Sequence, residues 1–306
     1  MGEEINIDWS MFDAILKSRK IEKVIEVPEQ TKTSKDLDFE KLTSFLTLYT
    51  QTEEFEKLNQ YKKASKCYLK LAQILLKDGD RKGAGSFFTK SALWLYYIGN
   101  YSESFEYYQR ALNISEQLGI LREKGEILTN IGMISYAQGD LDGALDHYKH
   151  SFDIAEQLGD LRLQSQDLSL IGIILSDRGD LDGTLDHYKH ALDIAEQLDD
   201  LEMQSGILPN IGLILTKQGD LGGATNHYNH ALSIFEQLSD LKKKDQILPY
   251  IGIKLYNRED SNGVLNQYKQ TLDITEQLGD LTIQSQISLE TTSIVTHLLL
   301  VTFHHM

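Results

Sequence analysis

The sequence predicts an all-α fold, an α-solenoid of stacked helix pairs, and three observations predict it. The chain repeats with a strict period of forty, so that Tyr68, Tyr108, Tyr148, Tyr188, Tyr228 and Tyr268 occupy one column. Within a period the apolar residues step by three or four, as in Leu141, Leu145, Tyr148, Phe152, Ala155 and Leu158, the spacing of one helix face. Between the apolar halves stand Gly99, Gly139, Gly179 and Gly219, mostly followed by Asp. Glycine there can take the left-handed conformation that ends a helix, and the aspartate can cap the next one.

In chain order, residues 1–40 do not repeat. "INIDWSMFDAILKSRKIEKVIEV" reads as an amphipathic helix with Trp9, Phe12, Ile15 and Leu16 on its apolar side, followed by the polar linker "PEQTKTSKD". This segment either caps the first repeat or folds back through residues 8–26 as an internal ligand. Capping is the plainer reading, since a solenoid needs a polar-faced terminal unit. Six repeats follow, at 41–80, 81–120, 121–160, 161–200, 201–240 and 241–280. Their helices are expected near 41–57, 61–77, 82–98, 102–118, 122–138, 142–158, 162–178, 182–198, 203–218, 222–238, 243–257 and 262–278. Pro209 and Pro249 fall inside two first helices and should kink them or mark their start. Residues 281–306 begin like another first helix and turn apolar and β-branched, which suits a closing helix or a decayed repeat.

Two further columns hold small residues: Thr52, Ala92, Gly132, Gly172, Gly212 and Gly252, and Ala64, Ser104, Ala144, Thr184, Ala224 and Val264. A glycine inside a helix costs about 1 kcal/mol against alanine, so its benefit must be the close approach of a neighbouring helix. These columns mark helix crossings.

Composition narrows the function. A net charge of -16 argues against a phosphate backbone as main partner, because nucleic-acid affinity rests on Lys and Arg displacing counterions. Cys67 is the only cysteine, which leaves no internal disulfide or thiolate metal cluster and points to the reducing cytoplasm. The start lacks the order of a secretion signal, and the apolar run Ile294 to Phe303 falls well short of the roughly 20 residues that span a bilayer. No nucleophile elbow, phosphate loop, zinc-protease helix or dinucleotide fingerprint is present, so the chain is expected to be no enzyme and to need no cofactor.

One pattern does suggest chemistry. His147 with His150, His187 with His190, and His227 with His230 are spaced three apart and could each offer two imidazoles to a metal or act as a pH sensor. A metal site needs a third ligand, and equivalent pairs on neighbouring repeats are too far apart to share one ion. Gln267 and Gln270 replace the pair in the last repeat while the tyrosine between them stays. The histidines therefore read as a water-facing surface with no metal bound.

"NIGMISYAQGDLDGALDHYKHSFDI", Asn130 to Ile154, resembles the tetratricopeptide repeat in its small Gly132, turn Gly139 and Asp140, small Ala144, aromatic Tyr148 and small Ser151. The resemblance recurs through six units. Forty-residue units look most like adaptors of the Pins type and, more loosely, kinesin light chains. "YKKASKCYLKLAQILLKDGDRKGAGSFFTKSALWLYYIGNYSESFEYYQRAL" also looks like the soluble NSF attachment family, a membrane-trafficking alternative.

The resemblance implies a right-handed superhelix whose groove is lined by the first helix of each repeat. Its lining columns would hold Leu93, Met133, Ile173, Leu213 and Ile253, then Tyr96, Tyr136, Ser176, Thr216 and Tyr256, with Lys90, Asn130 and Asn210 nearby. This apolar and neutral-polar mixture suits a partner protein's peptide or amphipathic helix rather than nucleic acid or a membrane. The family's carboxylate clamp is not expected, since its supporting basic columns hold Leu46, Ser86, Glu126, Gln166, Gly206 and Gln246. The competing reading of the stripe is that it packs between helices.

Overall fold

The computed structural model describes residues 34–238. The described residues form ten helices and no strand: α1 Ser34–Lys57, α2 Tyr61–Lys77, α3 Arg81–Tyr97, α4 Tyr101–Leu118, α5 Leu121–Ala137, α6 Leu141–Leu158, α7 Leu161–Asp177, α8 Leu181–Gln197, α9 Leu201–Lys217 and α10 Leu221–Gln237. The chain divides between Thr50 and Gln51 into two units, and α2 to α10 all lie in the second. From α2 onward every described helix begins and ends within two residues of its expected span.

One expectation needs correction and one is narrowed. The first helix starts at Ser34 rather than near Lys41, because the forty-residue register set the expected start while no glycine or proline separates Ser34 from Lys41. Ser34 to Asp36 therefore belong to a helix and not to a linker. At Pro209, of the two alternatives of a kink or a helix start, the start is excluded, since α9 runs from Leu201 to Lys217 with Pro209 inside it. The ring removes the donor that the Ser205 carbonyl would have received, yet Ile207, Leu208, Ile211 and Ile214 around it are buried, and packing carries the helix through. The expected helices near 243–257 and 262–278, Pro249 and the closing segment lie outside the described residues.

The turns follow the residues that encode them. Gly139, Gly179 and Gly219 have φ of +82°, +81° and +83°. The next residue caps the following helix: Asp140, Asp180 and Asp220 each accept from the backbone N–H three positions on, at 2.9 Å.

Each helix from α2 to α10 packs on the next, which gives the α-solenoid of consecutive helix pairs. The first helices of neighbouring repeats also touch, α3 with α5 and α5 with α7. The two repeating columns meet face to face. A Cβ added at Gly132, Gly172 or Gly212 would lie 2.6, 2.9 or 2.7 Å from Cε1 of Tyr148, Tyr188 or Tyr228, so each glycine exists to admit the ring of its own repeat's second helix. Ala64, Ser104, Ala144, Thr184 and Ala224 are fully enclosed. The polar members of that column find carbonyl acceptors: Ser104 donates across to the Ala92 carbonyl of α3 at 2.7 Å, and Thr184 back-bonds to the Asp180 carbonyl of its own helix at 2.6 Å. Among the described residues no helix is long and apolar enough to cross a membrane.

Candidate functional site

The first helices α3, α5, α7 and α9 each bury one apolar face and leave a neighbouring column accessible. On α5, Ile127, Leu128, Ile131 and Ile134 are buried, while Met133 is half-buried and Tyr136 exposed. The same register leaves Leu93 and Tyr96 half-buried on α3, and Ile173 and Ser176 half-buried on α7. On α9, Leu213 and Thr216 are exposed. Met133 and Ile173 also pack against the buried clusters beneath them, so this column is partly core and partly surface. Ile253 and Tyr256 lie outside the described residues.

The polar members of the site are already engaged. Asn130 donates to the Glu126 carbonyl at 2.7 Å and Asn210 to the Gly206 carbonyl at 3.1 Å, each along its own helix. Each amide keeps its carbonyl oxygen and one N–H for another partner. Lys90 extends over the rings of Tyr68 and Phe87, 5.5 and 6.0 Å from their centroids, an arrangement that pins the ammonium by cation–π attraction. Tyr136 donates to Asp177 Oδ2 at 2.8 Å, linking α5 to the end of α7, and that hydrogen bond, with burial, raises the phenol above its ordinary pKa. Burial does the same at Tyr96, which lies beside Tyr97 and Tyr101.

Between α5 and α7 opens a cleft of about 240 Å³ lined by Arg122, Glu126, Thr129, Asn130, Asp160, Arg162, Leu163 and Gln166. Its arginines are tied to the caps of the following helices. Arg122 Nη2 lies 3.0 Å from Asp160 Oδ2, and Arg162 Nη2 lies 2.6 Å from Asp200 Oδ2. Of the expected groove residues this cleft contains only Asn130, and with it stand Glu126 and Gln166 of the columns that lack the carboxylate clamp's basic residues.

The histidine pairs do not all face water. His150, His190 and His230 are exposed, but His147, His187 and His227 are half-buried because the three-residue step turns them toward the adjacent packing surface. His187 Nδ1 is 2.8 Å from the Gly183 carbonyl. Burial, then repulsion from His150, lowers the His147 pKa, and burial with His230 and Lys189 lowers that of His227. Among the described residues no group of three or more His, Cys, Asp or Glu is placed to hold a metal.

Two features escaped sequence reasoning. Trp94 stacks on Tyr61 with centroids 4.6 Å apart and donates to Glu56 Oε1 at 2.7 Å, and Tyr68 donates to the same oxygen at 2.8 Å. The other is Asp167, fully enclosed between α5, α6 and α7, where Thr129 donates to its Oδ1 at 2.7 Å. Burial pushes its pKa up to about 7 against the opposing hydroxyls of Ser151 and Thr129. The signal for it was present, since Asp167 interrupts a column that holds Ile127 and Ile207.

A family model described as tetratricopeptide repeat matches residues 85–157, 123–197 and 165–237, which together span half of the 306-residue chain. The chain belongs to the tetratricopeptide repeat family. No curated protein matches it. Among solved structures it is similar to the apo form of RapI, at 15% identity and TM-score 0.64 over 83% of this chain and 99% of that one. It is also similar to aspartyl phosphate phosphatase F from Bacillus subtilis, at 15% identity and TM-score 0.64 over 93% and 80% of the two chains. A third is the Rap conjugation gene regulator of the plasmid pLS20 in complex with the Phr* peptide, at 16% identity and TM-score 0.63 over 97% and 87%. At these identities the likeness is one of fold.

Proposed function

We propose that the chain is a non-catalytic protein-interaction scaffold of the cytoplasm whose first helices hold a peptide or an amphipathic helix of a partner protein. One observation carries this reading: the first helices of successive repeats, of which α3 touches α5 and α5 touches α7, present the same accessible apolar column, from Leu93 and Met133 through Ile173 to Leu213. Asn130 and Asn210 stand beside it with unused amide capacity, the combination that anchors apolar side chains and reads a peptide backbone. The fold's likeness to a Rap regulator in complex with the Phr* peptide is in keeping with a peptide ligand. Aspartyl phosphate phosphatase F shares the fold too, but fold alone transfers no activity.

Repeats of forty residues favour the Pins-type and kinesin-light-chain adaptors as functional analogues, with trafficking adaptors of the soluble NSF attachment type as the alternative. A second class of function, metal or proton sensing by the histidine pairs, is the competing alternative, although no group of three or more His, Cys, Asp or Glu is placed to hold a metal among the described residues.

The test is affinity purification of the full chain beside Met133→Asp and Leu213→Asp. Both sites retain partial exposure, so the charges are expected to remove partners while leaving the fold in place, as checked by circular dichroism. An unchanged partner set in both variants would overturn the assignment. For the sensing alternative, zinc should leave the thermal melt of the chain where it was; stabilisation by zinc that disappears in the double change His187→Gln and His190→Gln would favour the metal reading instead.

A further inference from the structure

Among the described residues Asp167 is the only carboxylate, lysine, arginine or histidine that the fold encloses, at 0% exposure. The repeats on either side carry Ile127 and Ile207 in its column, and Ser151, which closes the same network, stands where Ala111, Ala191 and Ala231 fill the other described second helices from α4 onward. A polar exchange at one junction of an otherwise apolar stack costs stability unless every group is satisfied. Here the partners come from three helices. Thr129 of α5 donates to Asp167 Oδ1 at 2.7 Å, the Thr129 and Ser151 hydroxyls lie 2.8 Å apart, and Ser151 of α6 donates to the Gly125 carbonyl at 3.0 Å. Asp167 Oδ2 has no hydrogen-bond partner.

We propose that this junction is a proton-controlled hinge between the third and fourth repeats, closed when Asp167 carries a proton and loosened when it does not. In the protonated form the donors can run in one direction, from the Asp167 carboxyl to Thr129, from Thr129 to Ser151 and from Ser151 to the Gly125 carbonyl. Each hydroxyl then gives one proton and receives one. In the ionised form a full charge is enclosed with one oxygen unpartnered, and α7 is the element that can move to hydrate it.

The charged groups around the junction do not take over this role. On α5, Arg122 and Glu126 are exposed, and Glu123 and Lys124 lie a full turn or more from Thr129 along the helix. On α6, Asp142, Asp146, Lys149, His150, Asp153 and Glu156 are exposed. There Tyr148, whose phenol burial keeps neutral and which feels the charge of Asp167, and half-buried His147 are the remaining titratable groups. On α7 itself Arg162 and Asp177 are exposed, as are Asp182, Asp186, Lys189, His190, Asp193 and Glu196 on α8, whose His187 is half-buried. No neighbouring cation compensates the carboxylate: the influences on its ionisation are burial first, then Ser151 and Thr129.

The sign follows. The folded chain holds the Asp167 proton to about pH 7 whereas an unfolded carboxyl releases it near 3.8, so stability from the closed junction is fully present below about pH 3.8 and is lost progressively as pH rises to about 7. The half-buried His147 acts the other way, since a lowered histidine pKa withdraws stability as pH falls.

Amide hydrogen exchange of the full chain, followed peptide by peptide at acid and mildly alkaline pH and corrected for intrinsic exchange, tests the hinge. Protection within residues 121–177 is expected to fall at least about tenfold at the higher pH while α9 and α10 keep theirs. Asp167→Asn, which keeps an acceptor for Thr129 and cannot titrate, and Asp167→Ile, the residue of the flanking repeats, should both abolish that pH dependence. His147→Gln should preserve it. A pH response equal in wild type and Asp167→Asn, or a loss spread evenly over the chain, would overturn the proposal, and because Asp167→Asn is nearly isosteric a failure of Asp167→Ile to fold leaves the test intact.

Discussion

Gly172 and Tyr188 show what a single residue contributes. A methyl group at Gly172 would sit 2.9 Å from the tyrosine ring, whereas one at Gly206 meets nothing within 4 Å, although both glycines lie inside first helices. Gly172→Ala is therefore expected to lower stability by about 1–2 kcal/mol, the overpacking cost of about 1–3 kcal/mol outweighing the gain in helix propensity. Gly206→Ala should raise stability by up to about 1 kcal/mol. Urea midpoints of the two variants check both signs, and equal shifts would refute the pairing. The recurrence of glycine and tyrosine was legible in the sequence. That they are each other's partners was not, because a column gives the position of a residue but not what lies across from it.

At the scale of the helix, the ends are where sequence and structure agree most closely. Asp200 caps α9 by accepting from the Met203 N–H at 3.0 Å and also meets Arg162 from the preceding first helix. The arginine side chain is 67% exposed, so its ion pair is screened and worth little, while the cap satisfies a backbone donor. Asp200→Ala is expected to cost about 1–2 kcal/mol and Arg162→Ala less than about 1 kcal/mol, a difference that thermal melts at low and high salt can resolve. Helix starts could be read from aspartates after glycines because capping is a local hydrogen bond. Pro209 left two alternatives open for the opposite reason: whether a helix continues past a proline depends on the burial of the residues around it, here Ile207, Leu208, Ile211 and Ile214.

For the whole molecule, a stack in which each helix packs chiefly on the next makes stability a sum of neighbour terms. Damage should then stay near its source. Gly212→Ala, which drives a methyl to 2.7 Å from the Tyr228 ring, is expected to strip exchange protection from α8 to α10 while α2 to α4 retain theirs. A uniform loss across all described helices would show that the solenoid unfolds as one cooperative unit.

The sequence by itself determined the all-helical repeat, the turn positions and the inward columns of tyrosine and small residues, because these depend on interactions a few residues apart and on a pattern printed several times over. Tertiary structure decided which polar groups are enclosed. Asp167 interrupts the column of Ile127 and Ile207, which marks the position, but only the packing of Thr129 and Ser151 around it shows that the carboxylate is enclosed. It also placed His147, His187 and His227 partly inside, where six similar imidazoles had read as one surface. Burial is a property of what packs across a junction from elsewhere in the chain, and only the assembled helices supply it.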